Sequence, residues 1–339
     1  MSHFLFLSVT GEAGIGIYRM DGASGALELV EQVAAGDGVM PLAVDPHQRF
    51  LYAGLRRVPQ VQSYRLDGRT GRIQLLGSTP LDWDPTYLTT DKTGRFLLSA
   101  SYVGGCVGVH AIGDDGVVRA PPPSRHDTAR GAHFIGTDPS NRFAFVPHVA
   151  ESNIILQYRF NARTGLLTQN EPFRVDQPAG TGPRHYCHHP AKHVVYVDNE
   201  QECSVTACRF DPERGTLAAL QTVSTLPEGF GGDNSCAQIH IHPSGRFLYA
   251  SNRGHDSIAC FSINAETGLL DVVGHAAAPA TPRAFNLDPD GHFLFAAGQA
   301  TGELAAFRID QASGALSPLA VYNVGPSPSW IAVLKLNLQ

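Results

Sequence analysis

The sequence is poor in charge and has none of it clustered. Only 17% of the 339 residues are Asp, Glu, Lys or Arg, the formal net charge is −6, and no basic run is longer than the pair Arg56 and Arg57. That argues against nucleic acid or an anionic membrane as partner. No apolar run approaches the ~20 residues of a spanning helix. The apolar run His3 to Val9 is too short for a signal peptide and has no basic flank, so a cytoplasmic protein is expected. The six cysteines (Cys106, Cys187, Cys203, Cys208, Cys236 and Cys260) contain no CxxC pair, so they read as free thiols rather than disulfides or a zinc knot. Neither a GxSxG elbow, a P-loop, a dinucleotide fingerprint nor an HExxH helix is present, which removes serine-nucleophile, nucleotide-dependent and zinc-protease chemistry from the front rank. Helical spacing is missing too, since no twelve-residue stretch keeps apolar residues at i, i+3, i+4 and i+7.

What the chain does have is turn residues. Gly (35) and Pro (23) are dispersed along its whole length, as expected of many short elements joined by turns. The segments PLAVDPHQRFLYAGLR, TYLTTDKTGRFLLSASY, HFIGTDPSNRFAFVPHV, RHYCHHPAKHVVYVDNE, AQIHIHPSGRFLYASNR and RAFNLDPDGHFLFAAGQ are successive versions of one β-hairpin. Their turn anchors Pro46, Lys92, Pro139, Pro190, Pro243 and Pro289 are 46, 47, 51, 53 and 46 residues apart. A second pattern follows each hairpin, with seven copies from YRMDGASGAL to FRIDQASGAL, each a strand, a turn and a strand.

One unit is therefore four antiparallel strands in about 48 residues, the size of a β-propeller blade. The ends supply the missing hairpin: His3 to Ser8 matches a second strand and Ser327 to Val333 a first strand. The expected fold is all-β, a seven-bladed propeller over residues 1–339 as one domain. Its ring is closed by N- and C-terminal strands sharing one blade, which leaves no free strand edge. Arg119 to Gly131, Glu171 to Gly182 and Leu226 to Ser235 read as long connectors on one face.

Positions shared by all blades hold the scaffold, so function is sought where blades differ. Arg49, Arg95, Arg142 and Arg246 after the hairpin turn, and Arg19, Arg65, Arg159, Arg209 and Arg308 on the third strand, are expected to be structural. Symmetric hairpins place residues six before and ten after the anchor opposite one another, at one mouth of the channel. The pairs are Thr10 with Ser329, Met40 with Arg56, Thr86 with Tyr102, His133 with Val149, Arg184 with Glu200, Ala237 with Arg253, and Arg283 with Gln299. Four arginines, a glutamate and a histidine converging in a sparsely charged chain indicate an anion site. Glu200 is a candidate base, His133 a candidate acid or base, and Arg184, Arg253 and Arg283 candidate holders of an anion and a developing oxyanion. His185, His188, His189, His240 and His242 lie on inner strands at mixed parity. A calcium site on Glu200, Asn199 and Asn252 is a less favoured alternative.

GPRHYCHHP (Gly182 to Pro190), VDNE (Val197 to Glu200), IHIHPSGRFLYASNRG (Ile239 to Gly254) and TPRAFNLDPDGHFLFAAGQ (Thr281 to Gln299) resemble the seven-bladed propeller lactonase family. That family includes the propeller-type 6-phosphogluconolactonases and the fungal 3-carboxy-cis,cis-muconate cyclases. The resemblance implies a cofactor-free, metal-free enzyme acting on a small anionic lactone or carboxylate. It places catalysis on His133, Arg184, Glu200 and Arg253, with Arg283 as a neighbour; the ring itself adds Arg56, Gln299 and Tyr102, and His185 beside Arg184, as substrate-binding candidates. Lactone hydrolysis is the first expectation, a muconate-type cycloisomerase using the same residues the second, and a non-catalytic interaction propeller the third. The protein is expected to be a monomer or weak homo-oligomer.

Overall fold

The computed structural model describes residues 2–336, which form seven four-stranded antiparallel sheets arranged as a β-propeller. Six sheets are continuous in the chain, and the seventh joins the C-terminal strand Pro328–Leu336 to Ser2–Val9, Gly14–Met20 and Leu27–Ala34. The closing pair runs antiparallel from Ser2 opposite Leu336 to Val9 opposite Pro328, as the sequence anticipates. Two 3-10 turns, Thr10–Glu12 and Ala150–Ser152, are the helical elements among the described residues.

Blades pack through their two middle strands, whose side chains alternate toward the preceding and following blade. Leu5 and Leu7 of the closing blade meet Phe293, Phe295 and Ala297 of the blade before it, all completely buried. On the other side, Phe4 and Phe6 join Leu51 and Ala53 of the blade that follows.

The repeated turn residues latch neighbouring blades. In each turn between third and fourth strands an Asp or Asn side chain accepts backbone N–H groups, as Asp21 does from Ala23 and Ser24. A glycine at positive φ follows, and in six blades its missing side chain leaves room for an aromatic ring of the preceding blade, while Gly268 meets Val194 instead. A Cβ on Gly71 (φ +72°) would lie 2.3 Å from the Phe4 ring, and one on Gly215 (φ +66°) 2.0 Å from Phe143. The repeated arginines cover the same rings from outside: Arg19 over Phe4, Arg49 and Arg65 over Phe50, Arg142 and Arg159 over Phe143, and Arg308 over Phe293. Several also reach the next blade, as Arg142 does to the carbonyl of Pro212 at 2.6 Å. Their scaffold role stands.

Two connectors are shorter than expected. Ser124–Asp127, inside the stretch read as a loop from Arg119 to Gly131, is the outer strand of the third blade, and Val118 makes only an isolated bridge to Ile112. The prolines Pro121 to Pro123 carry no N–H for a sheet ladder, so pairing resumes after them. The stretch from Glu171 to Asp176 belongs to the outer strand Leu166–Asp176.

Candidate active site

The site begins with an irregularity that symmetric hairpin geometry omits. In the fifth blade Pro183 pairs with Asn199, but the next pair is Tyr186 with Val197, so Arg184 and His185 together oppose Asp198. In the sixth blade Ala237 and Gln238 oppose Ser251, and in the second Met40 and Pro41 oppose Gly54. Arg283 is the extra residue between Pro282 and Ala284. These are β-bulges, which re-aim side chains at the channel end of the inner strands. The direct pairings expected for Met40 with Arg56, Arg184 with Glu200, Ala237 with Arg253 and Arg283 with Gln299 are accordingly displaced, and so is that of His133 with Val149, since Ala132 bridges His148. Their partners are still brought together at one mouth of the channel.

The bulge lets the neighbours Arg184 and His185 take part in one cluster. Arg184 Nε lies 2.7 Å from Glu200 Oε2, and Arg253 Nη2 lies 2.8 Å from Glu200 Oε1. The Arg184 N–H is not aimed along the short line to the carboxylate, so this contact is an ion pair rather than an aligned hydrogen bond. Glu200 is fixed through its backbone as well, donating to Gly182 O at 2.7 Å and accepting from Cys236 N of the next blade at 3.0 Å. Arg253 Nη2 also donates to Cys236 O at 2.6 Å. His185 Nε2 stands 3.2 Å from Arg184 Nη1 and 3.1 Å from His133 Nδ1.

The charges are arranged unequally. Arg184 is 2% exposed and His133 and His185 are 5% and 3% exposed, whereas the Glu200 side chain keeps 21%. Burial pushes the Glu200 carboxyl upward, but Arg184 and Arg253, with Arg283 behind them, outweigh it and hold the group below the usual carboxylate range. Burial first, then Arg184 and the neighbouring imidazole, hold His133 well below the ordinary histidine value; burial and Arg184 do the same to His185. Both rings are neutral at pH 7.

Arg283 has no carboxylate within ion-pair distance among the described residues. Burial and the guanidiniums of Arg184 and Arg253 push it down to about 9, so it stays charged near neutrality at a cost. Arg56 is committed differently: its Nη2 is 2.6 Å and its Nε 3.0 Å from Asp84 Oδ2, and Ser101 donates to the other Asp84 oxygen. Tyr102 stacks edge-on to His133 at 5.9 Å, with Arg130 over its ring. The Gln299 backbone closes a turn onto Thr281, and its side chain makes no hydrogen bond to the described residues.

The other histidines divide as their positions dictate. His189 and His242 cap hairpin turns, accepting from Ala191 and Lys192 and from Ser244, where Asp45 and Asp138 do the same in other blades. His188 packs among Phe145, Tyr186 and Phe210. Geometry disfavours the calcium reading: both Glu200 oxygens face guanidiniums, and Asn252 Oδ1 already accepts from Thr225 and Asn234.

Hairpin counting missed the floor of the site. Tyr87 meets His185 edge-on at 5.3 Å and Trp330 at 5.5 Å, and Phe134 lies 5.1 Å from His185. Asp198, completely buried behind the bulge, was missed as well. The available signal was proline: Pro41, Pro183, Pro282 and Pro328 lie in inner strands beside the irregular pairings, where the ladder tolerates a missing N–H.

The profile of the family described as Lactonase, 7-bladed beta-propeller, matches residues 5–333. The chain belongs to the seven-bladed β-propeller lactonase family. Among the relatives of this lactonase-family chain, a 6-phosphogluconolactonase of Pectobacterium carotovorum is 40% identical over 316 residues, 93% of this chain and 94% of the relative. Another 6-phosphogluconolactonase, of Serratia proteamaculans, is 37% identical over 98% of this chain and 99% of its own. Among solved structures, the periplasmic gluconolactonase of Pseudomonas aeruginosa superposes with a TM-score of 0.91 at 28% identity, covering 99% of this chain and 100% of the other.

Proposed function

We propose that this lactonase hydrolyses an anionic sugar-acid lactone, with 6-phosphoglucono-1,5-lactone the favoured substrate, at the ring of Arg184, Glu200, Arg253, Arg283 and His133. One observation carries the reading: Arg184 and Arg253 share one ion-pair partner, Glu200, and Arg283 beside them has none among the described residues. Such a surplus suits the substrate's anionic group and the oxyanion that forms when water adds to the lactone carbonyl. The names of the relatives reported above favour opening a lactone over cyclising a muconate or over a non-catalytic propeller.

In this reading Glu200, the ring's carboxylate and still open to solvent, orients the attacking water and takes its proton. The proton that Glu200 takes is handed on to the departing ring oxygen through the neutral His133 and His185, which are hydrogen-bonded to one another and return to their starting state. Arg184 and Arg253 hold Glu200 and face the oxyanion, while Arg283, Arg56, Tyr102 and Gln299 border the substrate. The ester bond breaks, and the product is a hydroxy acid whose proton is released. All six cysteines are free, which supports a cytoplasmic setting.

The test is acid release in a pH-stat over a lactone panel, corrected for spontaneous opening, with 3-carboxymuconate as the competing substrate. Turnover of the phosphorylated lactone above that of unmodified gluconolactone is expected, with a loss of about 100-fold in Arg184→Ala and Glu200→Gln. Turnover unchanged in both variants would remove these residues from the reaction.

A further inference from the structure

We propose that Asp198 is a positioning residue whose negative charge, set behind Arg184, governs how tightly the arginine ring holds an anion. This rests on the reading of that ring as an anion site. The argument starts from what a bulge requires. Its second residue presents an N–H that the strand ladder does not satisfy, and in a closed interior that group needs an acceptor. The blades meet the need differently. In the second blade the residue is Pro41, which has no N–H, and Gly54 stands opposite. In the sixth blade Gln238 N donates to the hydroxyl of Ser251 at 3.1 Å. In the fifth blade His185 N donates to Asp198 Oδ1 at 2.6 Å.

A hydroxyl thus suffices for the cap, yet the fifth blade spends a buried carboxylate on it. Asp198 is 0% exposed, and its second oxygen, Oδ2, has no hydrogen-bond partner. An ionised carboxyl with an orphan oxygen is expensive inside a protein. The charge therefore answers to the groups around it. Those are Arg184, His185 and Cys187 on the facing inner strand, Glu200 just past the end of its own strand, and Arg253 and Cys236 of the next blade.

Burial pushes the Asp198 carboxyl up to about 7, against the pull of Arg184 and the His185 N–H. Its proton is thus exchanged near neutrality, and every protonation adds one positive charge to the ring. A bound anion favours the protonated form. By linkage, protonation favours the anion equally, so affinity falls as pH rises through 7. His133 and His185, held well below 6.5, do not titrate in that range. Cys203 needs a control, because the Cys236 thiol and Asn234 lower its pKa and Arg253 is near.

The experiment is calorimetric titration of the whole protein with D-glucarate, whose two carboxylates keep their charge between pH 6 and 8. Wild-type affinity is expected to fall roughly five- to tenfold over that range, with proton uptake on binding seen by changing the buffer. Asp198→Asn keeps an oxygen for the His185 N–H, and its affinity is expected to be flat with pH and at least equal to the wild type at pH 6. Asp198→Ser, copying the sixth blade, gives the same result if the amide variant misfolds, as judged by thermal unfolding. Cys203→Ser is expected to keep the wild-type slope. The proposal is overturned if Asp198→Asn retains the slope, or if Cys203→Ser abolishes it. Absence of wild-type binding at both pH values would instead overturn the anion site itself.

Discussion

Arg283 offers a perturbation whose two consequences run in opposite directions. Its guanidinium is held at about 9 by burial and by the like charges of Arg184 and Arg253, against an ordinary 12.5. That gap corresponds to ~5 kcal/mol of penalty on the charged form, carried in full by the folded state at every pH below about 9. Relaxation and water entry reduce the recoverable part, so Arg283→Met, which keeps most of the volume, is expected to stabilise the free protein by ~1–2 kcal/mol. For a chain of this length that is a rise of ~1.5–3 °C in Tm, measurable by scanning calorimetry without ligand. The same substitution removes a charge-assisted contact to the substrate's anionic group, worth ~1.5–3 kcal/mol, so KM should rise by a factor of ~10 to 100. Stability gained and affinity lost in one variant is the mark of a functional charge held against repulsion. A lower Tm would mean that Arg283 is paired in solution. An unchanged KM would take it out of the substrate site.

Two further outcomes follow from the same geometry. Gly215→Ala forces a Cβ into the Phe143 ring and is expected to cost ~2–4 kcal/mol; Gly180→Ala, also at positive φ (+82°) but with nothing within 4 Å, should cost only ~1 kcal/mol. Denaturant titration of both separates the blade latch from backbone strain, and equal costs would refute the latch. Because burial and Arg184 keep His133 and His185 neutral well below pH 6.5, kcat should show no fall from pH 8 down to pH 6 in the pH-stat. A fall centred at 6.5 would show an exposed, ordinary histidine controlling the reaction instead.

The ring was legible because each blade repeats its turn chemistry. The Asp or Asn that caps the outer turn, the glycine that admits the neighbour's ring and the arginine above that ring recur in spaced sets, so periodicity alone reveals them. The closing blade was legible because a strand needs a partner, and Ser327 to Val333 had no other hairpin to complete. Arg184, Glu200, Arg253 and Arg283 were found through where the blades differ, even though the register assumed for them was too regular. What stayed hidden was the part that period-two reasoning excludes. Strict alternation sends Arg184 and His185 to opposite sides, and only the bulge opposite Asp198 unites them with His133 and Glu200. A bulge is set by the competition between ladder hydrogen bonds and packing across two blades, so its location is not written in any single residue. Proline marks where it is tolerated, and the buried Asp198 marks where the fold turned it to use. A search for lactonase sites in repeat sequences should therefore begin at proline-led inner strands and ask which neighbouring polar pair a one-residue slip would bring to the channel.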